Sequence, residues 1–499
     1  MPFNSLIPKL LTEANHVNGE AFDQNMAALQ LFVKDPNAEN QLRFIIFSSG
    51  GLGHQSTAAN IIYRMVSLGL KGTFEIIYFS NDIAKIAILF PQFDPKDPFK
   101  PVIIGDATFI FIDEETFIAS EQPIFKIGLT GGVDGLQENI AKYFYVEYLL
   151  VLQPYQWKLA PSVIQRANEI PLNKPIDTFK PLEALSFAKR GYYIADPVMD
   201  AANINYFKTS VYADKYPVYD LITTSLLAQK TNMMPVYGLN LFDNTSILAA
   251  TVLFNLATGI TIAQNKTNEV GEKVKGTIMV IISKLEDEVY TDFEGLIQGT
   301  NPELENNPLK EWIAKNNLSS RISTYKYNDA GLPDAIRALE DQPNNTLVIN
   351  MGDLPLYAFN YLYLIADMPP VFEGAATNSL LLNFGKDYFA LTSHLNKNFT
   401  LYPTLPLNAE AAASEPNAMK EVSLIIGSTL LEWQRDLNDG SYDVPADLLS
   451  LAILIAFEPE NTTPQVYFRS LRTFFHNQQE DKMLMGVFFL LQYLNHYKK

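Results

Sequence analysis

Two stretches of this chain hold residues whose types and spacing suit chemistry. The first is Gly50-Gly51-Leu52-Gly53-His54. A histidine beside glycines can move a proton near neutral pH while the backbone comes close to a ligand. The second is Glu373-Gly374-Ala375-Ala376-Thr377-Asn378-Ser379. Glu373 can accept hydrogen bonds from vicinal hydroxyls. Gly374 opens a helix whose N-terminus, with the side chains of Thr377, Asn378 and Ser379, can hold a diphosphate. A second glycine turn, Gly131-Gly132-Val133-Asp134-Gly135, offers a carboxylate. Lys284 follows an apolar run and suits a lysine facing phosphates.

These residues need elements to place them. Leu42 to Phe47 is a short apolar run of the kind that makes a buried parallel strand, and a helical pattern runs from Ser56 to Leu68. Strand, glycine turn and helix in that order gather free backbone N–H groups and a positive helix end at one point. Thr73–Ser80, Val102–Ile104, Thr108–Ile112, Ile124–Gly128, Phe144–Leu152 and Tyr192–Ile194 read as further strands. Pro91 to Pro101, with four prolines, reads as an irregular insertion. Beyond a polar stretch from Gln264 to Gly276, which reads as a linker, strands are expected at Thr277–Ile282, Ile322–Tyr327, Thr346–Asn350 and Pro370–Phe372. Helices are expected at Leu332–Glu340 and Leu356–Ile365. Strands alternating with helices predict parallel sheets covered on both faces, in two similar halves.

Composition narrows the chemistry. A chain of 499 residues exceeds one ordinary core. A net charge of −18 opposes nucleic-acid binding through phosphate neutralisation and repels anionic membranes. Without cysteine there is no thiolate nucleophile and no sulfur-ligated zinc. The five histidines have no metal-binding spacing, and no Asp-x-Asp or Gly-x-Ser-x-Gly occurs, so no metal site is expected. Ile247 to Ala263 approaches membrane-span length but carries Thr251, Asn255, Thr258 and Thr261. It is expected to be a buried core helix, with no stable membrane span. The N-terminus lacks the pattern of a signal peptide, which predicts a cytoplasmic protein. Delivery into another cell by a dedicated secretion system would look the same.

The first glycine turn alone has several readings. A dinucleotide fingerprint would end in glycine where Ser56 stands, with Asp82 as its ribose-binding acid. No Gly-Lys-Ser/Thr follows, which excludes a Walker loop. The turn would also suit the N-domain of two-domain sugar transferases, or would merely allow a tight bend.

Together the stretches resemble the GT-B glycosyltransferases, including the UDP-glycosyltransferase and peptidoglycan N-acetylglucosaminyltransferase types. Gly50, Gly51, Gly53 and His54 match their first loop, and Gly131, Gly132 and Asp134 match the second loosely. Glu373, Gly374, Thr377, Asn378, Ser379 and Gly385 match the donor region, whereas Asp387 stands where those families usually have proline. The resemblance implies an α/β fold with two Rossmann-like domains facing a central cleft and a C-terminal helix returning to the N-domain. The expected boundaries are 1–264 for the acceptor side, 277–475 for the donor side and 476–499 for the crossing helix. It further implies metal-independent transfer from a nucleotide-sugar donor, without another cofactor, to a small-molecule, glycan or protein acceptor. His54 or Asp134 would be the base, and Lys284 would face the donor phosphates. A nicotinamide-dependent oxidoreductase, a sugar-nucleotide epimerase and a non-catalytic binding protein are the alternatives.

Overall fold

The computed structural model describes residues 42–48, 52–67, 69–120, 122–132, 140–152, 163–166, 197–239, 246–269, 275–283, 285–391, 411–427, 443–454 and 463–477. Gly50, Gly51, Asp134, Lys284, the Tyr192–Ile194 strand and the expected crossing helix at 476–499 lie outside these residues, apart from Asn477 and its neighbour at the helix's start.

The chain has a GT-B-like two-domain α/β fold. The first unit is a seven-stranded sheet in the order β3-β4-β2-β1-β5-β6-β7. Its strands are β1 (Leu42–Ile46), β2 (Gly72–Tyr78), β3 (Val102–Ile104), β4 (Ala107–Asp113), β5 (Phe125–Gly131), β6 (Val146–Leu152) and β7 (Val163–Arg166). The five inner strands run parallel, and β3 and β7 close the edges antiparallel. Every residue of β1 is buried, as a strand covered on both faces requires. Phe44 packs edge-on against Phe74 and Phe109, with ring centroids 6.0 Å away in each case. Arg43, its neighbour in sequence, points to the other face. There its guanidinium lies over Phe125 and pairs with Glu75.

The second unit is a wholly parallel sheet in the order β10-β11-β9-β8-β12-β13. It comprises β8 (Thr231–Val236), β9 (Gly276–Ile281), β10 (Ile322–Lys326), β11 (Thr346–Asn350), β12 (Val371–Phe372) and β13 (Phe389–Ala390). The helices that bear on the site are α1 (Gly53–Ser67), α2 (Ile83–Leu89), α3 (Tyr216–Leu227), α4 (Ser246–Glu269), α5 (Leu356–Ile365) and α6 (Ala375–Phe384). Further helices follow at Ala411–Ile426, Asp443–Leu454 and Thr463–Asn477.

Two features differ from the sequence reading. The stretch expected as a linker begins inside a helix: α4 runs to Glu269, and Gln264 donates to Thr277 Oγ1 at 3.0 Å in the interior. Hydrogen bonding to the next strand makes this polar residue part of the core. Moreover β8, which precedes the expected boundary near 264, pairs with β9 and β12. The second sheet therefore takes strands from both sides of the linker stretch.

α4 is long and apolar enough to cross a membrane, yet 78% of its apolar window is buried within the protein. Several of its polar side chains find partners there. Asn255 donates to Ile426 O at 3.0 Å, and Thr251 and Thr261 back-bond to their own helix. A β-carbon on Gly259 would lie 2.7 Å from Leu449 Cγ, so the two helices pack at close range. This is the buried core helix that the sequence predicts.

Candidate functional site

In each sheet the strand order turns from falling to rising at one point, and in open α/β sheets ligands settle beyond the C-terminal ends of the strands there. In the first unit the reversal lies between β1 and β5. These are the strands followed by the two glycine turns, and the turns meet. A β-carbon on Gly132, whose φ is +71°, would lie 2.9 Å from His54 Cα and 3.2 Å from His54 Cδ2. One on Gly131 would lie 2.5 Å from Ile61 Cδ1 and 2.9 Å from Leu152 O. The second glycine pair is thus needed for packing against the first turn of α1. Gly53 has open space around it, and half-buried His54 follows it in that turn.

In the second unit the reversal lies between β8 and β12. Here the chain needs glycine again. Gly238 (φ +94°) follows β8, and Gly374 (φ +102°) follows β12 and caps α6. A β-carbon on Gly238 would lie 2.2 Å from Glu373 Cβ and 2.8 Å from its backbone nitrogen. The Gly238 N–H donates to Ser283 Oγ at 3.2 Å, which ties the β8 and β9 ends together.

Between the two reversal points lies a narrow cleft cavity of about 70 Å³, open in part to solvent. The first unit contributes Leu52, Ser56 and Asn60 from the α1 region and Ile88 and Leu89 from α2. The second contributes Tyr237 and Asp353 from strand ends, Phe359 and Asn360 from α5, and Ala376, Thr377 and Leu380 from α6. Asn360 Nδ2 donates to Asn60 Oδ1 at 3.3 Å, a buried hydrogen bond between the two units.

The electrostatics of the cleft centre on Tyr237. Its ring packs edge-on against Phe359 at 5.2 Å, and its hydroxyl is pushed up to about 12 by burial first, then by Glu373 and Asp353. Burial raises the Glu373 carboxyl above its ordinary value. Two carboxylates and a phenol in dry surroundings can accept and donate hydrogen bonds to ligand hydroxyls. The first N–H groups of α6 face the same space and favour negative charge. Among the described residues no cluster of three or more metal-ligating side chains forms.

The structure places the expected donor residues differently from one another. Thr377 lines the cleft cavity, whereas Glu373 and Gly374 are half-buried just before α6, with the Glu373 charge acting on Tyr237. Asn378 and Ser379 are fully buried, and Asn378 donates to Tyr388 OH at 3.0 Å, anchoring the helix start to the β13 region. Gly385 (φ +62°) ends α6 in a left-handed cap. Asp82, the acid of the dinucleotide reading, is 4% exposed; its oxygens accept from Gln55 at 3.0 Å and pair with Lys85 at 2.8 Å. The sequence reading missed Tyr237, Asn60, Asn360 and Asp353 as site residues. Asp353 stands in Gly352-Asp353-Leu354-Pro355, a glycine turn directly after β11.

No protein-family model matches the chain, and no curated protein matches its sequence.

Proposed function

We propose that the protein is a nucleotide-sugar-dependent glycosyltransferase working in the cleft between its two α/β units. The observation that carries this reading is the convergence of both reversal points on one cavity, with Ala376 and Thr377 at the α6 start on one wall and Ser56 and Asn60 of α1 on the other. Glu373 would accept the ribose hydroxyls. Thr377 and the α6 N–H groups would hold the diphosphate and stabilise the charge growing on it as the glycosidic bond breaks. Asn378 and Ser379 would keep the helix start in place, and Lys284 would face the phosphates. His54, or Asp134 in its stead, would take the proton from the acceptor hydroxyl as that oxygen attacks the anomeric carbon.

The engagement of Asp82 with Gln55 and Lys85 supports this reading over a nicotinamide-dependent oxidoreductase, which needs a free ribose-binding acid after the second strand. With no carboxylate pair of the Asp-x-Asp type, helix and lysine charge would serve where other transferases use a cation, and the protein would work in the cytoplasm on a small molecule, glycan or protein. The test is a thermal-shift screen of UDP, GDP, dTDP and NAD with and without EDTA, since a ligand of the native state raises its stability. Stabilisation by one nucleoside diphosphate, unaffected by EDTA, is expected. A response to NAD alone would overturn the reading.

A further inference from the structure

A second cavity, of about 340 Å³, opens at the C-terminal ends of β9, β10 and β11. It is separated from the cleft by the Gly352–Asp353 turn, and Asp353 lines both. Its most unusual group is Lys215, at the start of α3 and only 9% exposed. The ammonium donates to the Asp353 backbone carbonyl at 2.7 Å and lies 5.3 Å from the Tyr212 ring centre and 4.9 Å from that of Tyr327. Among the described residues it has no carboxylate in ion-pair contact. Of the nearby acids, Asp214 accepts from Tyr327 OH at 3.0 Å and Asp287 pairs with Lys326 at 2.6 Å, while the Asp353 carboxylate attracts the ammonium without an ion-pair contact.

A buried ammonium held by a carbonyl and two rings has no counter-ion in contact, and a buried charge that is only partly compensated is costly. Burial lowers the Lys215 pKa despite the attraction of Asp353 and Asp214, so those acids do not offset the desolvation. The charged side chains that line the cavity are two lysines, Lys215 and Lys326, and one carboxylate, Asp353. Lys326 lines it, and the Asn350 side chain does too, its oxygen already accepting from the Gly352 N–H at 2.9 Å. Gly352 is needed here, since its φ is +60° and a β-carbon would lie 3.1 Å from Lys215 Nζ. A ligand that fits this set presents acceptors and negative charge.

We propose that this cavity is a binding site for a small oxyanion, a phosphate or dicarboxylate, with Lys215 as its charged contact and Lys326 at its mouth. The site is separate from the cleft and does not depend on what the cleft binds. One turn links them: an anion drawing on the Lys215 ammonium acts on the carbonyl of the residue whose side chain region borders the cleft.

The test is the melting temperature of the full chain titrated with inorganic phosphate or with succinate, each against chloride at equal ionic strength. A saturable rise of about 2 °C or more is expected for at least one of the two. Which anion acts at lower concentration tells a phosphoryl ligand from a carboxylate. Lys215→Met should abolish the rise and Lys215→Arg should keep it. Lys326→Met, which leaves the bond to Asp353 intact, should shift the titration midpoint several-fold upward. Removing a partly compensated cation is compatible with folding, and Lys326→Met supplies an independent reading. No rise above chloride with either anion, or equal rises in Lys215→Met and the unaltered protein, would overturn the proposal.

Discussion

Gly238 and Glu373 are in backbone contact, with room for no more than a hydrogen on Gly238: a β-carbon there would fall 2.2 Å from Glu373 Cβ. The turn after β8 therefore fixes where the carboxylate after β12 can stand. Gly238→Ala should cost about 1–3 kcal/mol, because φ of +94° is strained for alanine and Glu373 must move. Urea unfolding measures the first effect. Nucleotide affinity measures the second and should fall as well.

Glu373 should show opposed effects on stability and binding. Its folded-state pKa lies above the ordinary 4.5, so the charge is disfavoured in the native state. The resulting penalty is absent below pH 4.5, grows as pH rises through the raised value and is then constant. Glu373→Gln should raise the melting temperature at pH 7 to 8 and leave it unchanged near pH 4, while weakening nucleotide binding. A variant less stable at pH 8 would show that the charge is compensated in the native protein.

The glycines of the first unit divide into two kinds. Gly131→Ala drives a methyl group into Ile61, Thr57 and the Leu152 carbonyl, and should cost about 1–3 kcal/mol as overpacking does. Gly53→Ala meets nothing within 4 Å and should stay within about 0.5 kcal/mol of the parent. If a ligand approaches the α1 start, Gly53→Ala should nonetheless slow turnover. Denaturation and kinetics on the same two variants separate packing from function.

Much of this frame was legible in the sequence, and the reason is local. β1, its glycine turn and α1 are contiguous, as are β12, Gly374 and α6, so apolar runs and glycine positions disclosed them. β8 was not legible. Thr231-Asn-Met-Met-Pro-Val236 carries a proline and little of the β-branched signal, yet it is fully buried at the centre of the second sheet. Missing β8 hid Tyr237, whose place in the cleft exists only because β8 ends between β9 and β12. The Asn60–Asn360 bond joins residues far apart in sequence, which no periodicity reveals.

His54 should be the base if the proposed chemistry is right. His54→Ala should lower turnover by about 10²–10⁴-fold with nucleotide affinity nearly unchanged. A large loss in Asp134→Ala with a small one in His54→Ala would exchange the roles. Unchanged transfer in both would place the base elsewhere.

The central claim is that Glu373 and the start of α6 hold a nucleoside diphosphate in the inter-unit cleft. Isothermal calorimetry of UDP, GDP and dTDP with the parent and Glu373→Ala tests it most directly. One nucleotide should bind the parent, and the substitution should weaken it by roughly tenfold to a hundredfold, the worth of a charge-assisted hydrogen bond of about 1.5–3 kcal/mol. Equal affinity in parent and variant, or no binding of any nucleoside diphosphate to the parent, would contradict the account.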